Sequence, residues 1–219
     1  MLRIRDDTIF SSPRIHSVRR FKLDNSATDI ELVNIFFSFI SENDEYDVEY
    51  LMVDKLALST VPAHLVTSLC KITEVELSET ECHNYHKLFR AIGQSSDLKL
   101  RKMVLNELLL DRVDSKTLAL AITKVEEITL NGVSCTYEAI FRALSQSEPK
   151  LKKLRIKFTS EIMDWVRDVD SMAQAVCMIE NLELIYCGLT SDQLDVIFRN
   201  ISTASKLYLQ SLTIILIIQ

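Results

Sequence analysis

"IENLELIYCGLTSDQLDVIFRNI", residues 179–201, changes its period half-way. The first eleven residues are apolar at positions 1, 4, 6 and 11 (Ile179, Leu182, Leu184 and Leu189), and the remainder sets Leu194, Ile197, Phe198 and Ile201 at helical spacing. Alternation across positions 4 to 6 describes a short strand with one face inward; recurrence at i, i+3, i+4 and i+7 describes a helix with one apolar stripe. A strand and a helix that are each hydrophobic on one side only make one unit of a two-layer structure.

The same eleven-residue pattern recurs from Val18, Val48, Ile72, Leu100, Val125 and Leu151, each start being position 1 of a repeat. Across these seven matches, 26 of the 28 residues at positions 1, 4, 6 and 11 are apolar, Thr28 and Glu161 being the exceptions. A chain that is 47% hydrophobic would place about 13 there by chance. A weaker eighth match starts at Ala204, with Leu207, Leu209, Leu212 and Ile214 in phase. Intervals of 24 to 30 residues separate the starts, and a two-repeat superperiod fits them better. One class of second half reads "IFFSF", "LFRAI", "IFRAL" and "IFRNI"; the other reads "STVPAHLVTSL", "DRVDSKTLALAI" and "WVRDVDSMAQAV". Projected backwards, "LRIRDDTI" at 2–9 falls near the phase of one more unit.

Read against the template L-x-x-L-x-L-x-x-(N/C)-x-L, the chain resembles the leucine-rich repeat family, closest to its ribonuclease-inhibitor-like and cysteine-containing branches. The resemblance covers roughly residues 2–215. It implies an α/β solenoid of about seven to eight repeats, with a curved parallel sheet on the concave face and helices on the convex face. It also implies a protein-binding role. Position 9 departs from the family pattern, being Cys only at Cys187 and otherwise Ser26, Leu56, Thr80, Leu108, Val133 and Thr159.

A lone repeat of this kind exposes both flanks, so stability must come from the interfaces between neighbours. The whole of 1–219 is therefore expected to be one domain. The half-repeat at 2–9 and the apolar "LTIILIIQ" at the other end lack the polar caps a solenoid needs, which points to truncation at both ends or to ends sealed by association.

Composition narrows the function. A net charge of −6 with Lys and Arg scattered gives no basic stripe for nucleic acid. "LTIILIIQ" is less than half the ~20 residues a membrane helix requires. Five Cys, an odd number, and the charged start "MLRIRDDTIFSS" fit reduced thiols in the cytoplasm. With only 3 Gly, and without a nucleophile elbow, an H-E-x-x-H or a phosphate loop, no enzyme and no cofactor are expected. "CHNYH" at 82–86 offers Cys82, His83 and His86 but no fourth ligand, and Cys82 stands at the inward position 11, so no metal is expected either.

A protein partner remains. Outward strand positions alternate in sign from repeat to repeat: Glu74 and Glu76, Arg101 and Lys102, Glu126 and Glu127, Lys152, Lys153 and Arg155, then Glu180 and Glu183. That is either a recognition surface or a ladder of lateral ion pairs. The local exception sets Arg155, Lys157 and Phe158 beside Glu183, Ile185 and Tyr186, with two aromatics at position 8 of adjacent repeats. These six are the candidate contact, because aromatics and Arg dominate binding hot spots; the alternative is that both rings cover the turn after the strand. Arg90, Arg142 and Arg199 line up on the helical halves as solvated surface or an anion ridge, and Phe36, Phe89, Phe141 and Phe198 as a core column. Trp165 is expected to pack between repeats. The resemblance allows a second role, the recognition arm of a larger regulatory protein of ubiquitin-ligase-adaptor or immune-receptor type, and a third, a GTPase-activating module.

Overall fold

A computed structural model of the chain describes residues 2–3, 18–24, 30–42, 47–55, 62–80, 83–146, 151–158 and 168–216. Among the described residues nine strands form one parallel sheet: β1 (Leu2–Arg3), β2 (Arg20–Asp24), β3 (Tyr50–Asp54), β4 (Glu74–Ser78), β5 (Lys102–Asn106), β6 (Glu127–Asn131), β7 (Lys153–Lys157), β8 (Asn181–Cys187) and β9 (Ser211–Leu216). Their order in the sheet is their order in the chain. Seven described helices alternate with β2 to β9: α1 (Ile30–Glu42), α2 (Ala63–Thr67), α3 (Tyr85–Gln94), α4 (Ser115–Ile122), α5 (Tyr137–Gln146), α6 (Val169–Cys177) and α7 (Ser191–Thr203). This is a repeat solenoid of the α/β class, and β1 pairs with β2 at the strand phase of the extra unit anticipated at 2–9, whose residues 4–9 lie outside the described residues.

Positions 4 and 6 of each repeat face the helices. Phe21 and Leu23, Leu51 and Val53, Val75 and Leu77, Met103 and Leu105, Ile128 and Leu130, Leu154 and Ile156, and Leu182 and Leu184 are all buried. The strands stay in register, position 4 opposite position 4, from β2 through β8. A slip by one residue would turn every one of these side chains to water. Each helix packs on the next, and because a helix is about 10 Å wide while strands lie about 4.8 Å apart, the sheet takes the inner radius.

The superperiod emerges as helix length. α1, α3, α5 and α7 run 13, 10, 10 and 13 residues, whereas α2, α4 and α6 run 5, 8 and 9. The helical layer is closely packed at Gly93, where a Cβ would meet Leu120 Cγ of α4 at 3.1 Å. Helix starts are set by side chains: Asp114 and Asp168 accept from the backbone of Thr117 and Ser171, and Thr190 and Gln193 form a reciprocal capping box on α7.

Two expectations are corrected. The last repeat starts at Leu209 and not at Ala204, since Leu212 pairs with Leu182 and Ile214 with Leu184. The reason is the length of α7, which delays the following strand by five residues. The phenylalanine column ends early: Phe36, Phe89 and Phe141 are buried, but Phe198 is 53% exposed. Among the described residues no helix follows α7 to cover it. Trp165, Cys82, Thr28 and Glu161 lie outside the described residues.

Candidate partner-binding surface

Related turns carry the chain out of β3 to β8. Position 8 is left-handed at Lys55, Glu79, Glu107, Gly132 and Tyr186, with φ between 45° and 61°. From β3 to β7 its N–H donates to the position-7 carbonyl of the next strand, at 2.8–2.9 Å: Lys55 to Ser78, Glu79 to Asn106, Glu107 to Asn131, Gly132 to Lys157 and Phe158 to Ile185. Phe158 keeps that bond without the left-handed backbone, and its ring turns inward.

Consequently the two aromatics expected to share a surface part company. Phe158 is buried, its ring 5.0 Å from that of Tyr137. Tyr186 sits at a bulge of β8 and is 47% exposed, with Lys157 Nζ 5.8 Å from its ring centroid, within cation–π range. Of the six residues singled out in the sequence, Phe158 therefore lies below the surface; Arg155, Lys157, Glu183, Ile185 and Tyr186 stay together.

Most of the sheet's outer face is internally paired. Arg19 meets Glu49 at 2.8 Å, Lys22 meets Asp54 at 3.2 Å, Lys102 meets Glu74 at 3.4 Å and Lys152 meets Glu126 at 2.8 Å. The Lys152 ammonium hydrogen-bonds Glu126 and holds its carboxyl below the usual range. Tyr50 donates to Glu76 at 2.7 Å; burial, and then that carboxylate, push its phenol up. Asn106 Nδ2 donates to Glu76 Oε1 and Ser78 Oγ, and Asn131 Nδ2 donates to Asn106 Oδ1. The sequence pointed to the ion pairs but not to this amide spine at position 7; the recurrence of Asn at 106 and 131 was its signal.

Beyond Asn131 the spine stops. Position 7 becomes Lys157, Ile185 and Ile215, neighbours in register on β7, β8 and β9. Ile185 is 9% exposed and forms a floor; Ile215 is 45% exposed beside it. Ile215 escaped the sequence reading because a repeat begun at Ala204 puts Gln210 at position 7. Below this apolar group Glu183 is shared by Lys153 at 2.9 Å and Arg155 at 3.4 Å.

On the helix side, Arg142 pairs with Glu138 at 2.6 Å and Asp168 at 3.3 Å, so it is held by its own surface. His83 and His86 are exposed, and among the described residues no group of three or more His, Cys, Asp or Glu converges as a metal site would require. Burial pushes the thiol of Cys70 up to about 11 and that of Cys135 up to about 12, leaving both protonated and poorly nucleophilic at neutral pH. No described helix is long and apolar enough to cross a membrane. No protein-family model matches the chain, and a search of curated proteins finds no significant match.

Proposed function

We propose that this chain is a non-catalytic protein-binding solenoid of the leucine-rich repeat type, and that it holds its partner on the outer sheet face at the carboxyl ends of β7, β8 and β9. The observation that carries the reading is the change at position 7. Where Ser78, Asn106 and Asn131 are tied to one another or to Glu76, Lys157, Ile185 and Ile215 open an apolar and basic surface next to the exposed Tyr186. Large side chains held on a rigid sheet lose little entropy on binding, so the ordering cost of association is low there. The buried thiols, protonated at neutral pH, favour a binding role over a nucleophilic one. Cys70, Cys135, Cys177 and Cys187 are all free, which supports a reducing compartment such as the cytoplasm.

The test is affinity capture with three versions of the chain: wild type, Tyr186→Ala combined with Ile215→Asp, and Arg90→Ala combined with Arg199→Ala on the helices. All the substituted side chains are exposed, so equal helix content should confirm that each version folds. A partner lost by the sheet variant and kept by the helix variant is the expected result. One that survives the sheet variant removes this surface from consideration.

A further inference from the structure

Resting on that reading, we infer that the occupant of the β7–β9 surface is an extended acidic segment carrying an aliphatic or aromatic anchor. Charge is distributed unevenly over the sheet's outer positions 3, 5 and 7. On β3 to β6 they hold Asp54, Glu74, Glu76 and Glu127 against Lys102, one cation less four anions, or −3. On β7 to β9 they hold Lys153, Arg155 and Lys157 against Glu183, three less one, or +2.

The excess is not neutralised locally. Glu183 already serves both Lys153 and Arg155, and Arg155 Nε, shielded from solvent, lies 3.4 Å from that carboxylate without forming a hydrogen bond. Lys157 has no described carboxylate within ion-pair distance, and its ammonium rests over the Tyr186 ring. An incoming carboxylate would pair with the Lys157 ammonium, which no described carboxylate reaches.

Geometry limits the ligand's size. Lys153 to Lys157 spans about 13 Å along β7, and β7 to β9 about 10 Å across, which suits four to six extended residues. An anchor seated between Ile215 and Tyr186 stands about one and a half strand spacings, roughly 7 Å, from Lys157, so an acidic residue must lie within about two positions of it in the ligand's sequence. The rest of the chain disfavours such a ligand, because the overall charge is −6. At about 0.1 M salt fields decay over roughly 10 Å, and only the local +2 is then felt at the surface.

The experiment selects random displayed peptides of about twelve residues on the wild-type chain, then measures the winners by fluorescence anisotropy as synthetic peptides. Expected are sequences in which Asp or Glu flanks an aliphatic or aromatic residue. Their affinity should fall about tenfold or more with Lys157→Glu or Ile215→Asp, fall several-fold between about 0.1 and 0.5 M salt, and stay unchanged with Arg90→Glu. Winners that depend on Ile215 but are acid-poor overturn the inference and leave the surface standing. Winners indifferent to Ile215→Asp, or no winners, overturn both. Sedimentation of the wild type as a dimer that Ile215→Asp dissociates would identify a second copy as occupant and equally overturn the inference.

Discussion

Over β4 to β6 the outer face of the sheet answers its own polar groups, with Asn131 donating to Asn106 and Asn106 to Glu76 and Ser78. Over β7 to β9 the same backbone positions carry Lys157, Ile185 and Ile215, and the neighbouring Tyr186 stands out from the surface. The backbone register is the same in both regions up to the bulge at Tyr186. What differs at position 7 is the side chains. A parallel ladder thus fixes where an outer side chain stands without fixing what it meets, and unpaired surface in such a fold marks where a second molecule can contribute.

Phe158 divides the two regions, and its removal has the largest expected effect. The ring is buried against Tyr137 under the end of β7, so Phe158→Ala should destabilise the chain by about 3–5 kcal/mol, read as a lowered denaturation midpoint. Tyr186→Ala, at the same repeat position, should cost under about 1 kcal/mol because half its surface is already in water. Equal costs would mean that the two rings share one environment, and the contrast between the regions would fail.

The core was legible because positions 4 and 6 answer to a single requirement, burial between sheet and helices, and every repeat repeats it. Position 8 was not. It reads Lys55, Glu79, Glu107, Gly132, Phe158 and Tyr186, and only Gly132 advertises a left-handed backbone. The left-handed turn goes with the bond to the next strand at Lys55, Glu79, Glu107 and Gly132, but Phe158 makes that bond without it, and no local propensity separates the cases, so Phe158 and Tyr186 looked alike in sequence. Ile215 was hidden by a different cause. Its register depends on how far α7 runs before the chain can return, and a helix end marked by "NISTASK" without Gly or Pro gives little indication of length.

The left-handed turns allow a pair of substitutions with opposite signs. Gly132→Ala forces a side chain into φ 61° and should cost about 1 kcal/mol. Tyr186→Gly relieves the strain of φ 59° and should stabilise by about 0.5 kcal/mol, even as it removes the proposed contact. Thermal denaturation of the two variants checks this directly. A loss of stability on Tyr186→Gly would show that the ring supports the fold and does not serve only a partner.

The smallest expected effect concerns the paired region and its dependence on pH. Glu126 accepts from Lys152 at 2.8 Å, with Arg101 Nε 3.9 Å away, and both cations favour its ionised form. Its folded pKa is therefore depressed, so the stabilisation is complete above the unfolded value of about 4.3 and disappears as pH falls through the lower folded value. Because the pair is largely exposed, solvent screening holds the contribution to a few tenths of a kcal/mol. Glu126→Gln should accordingly lower the denaturation midpoint slightly at pH 7, less in high salt, and not at all near pH 2. A difference that persisted at pH 2 would mean that the carboxylate charge is not what matters at this position. The face over β5 to β7 would then owe its order to packing and hydrogen bonds alone.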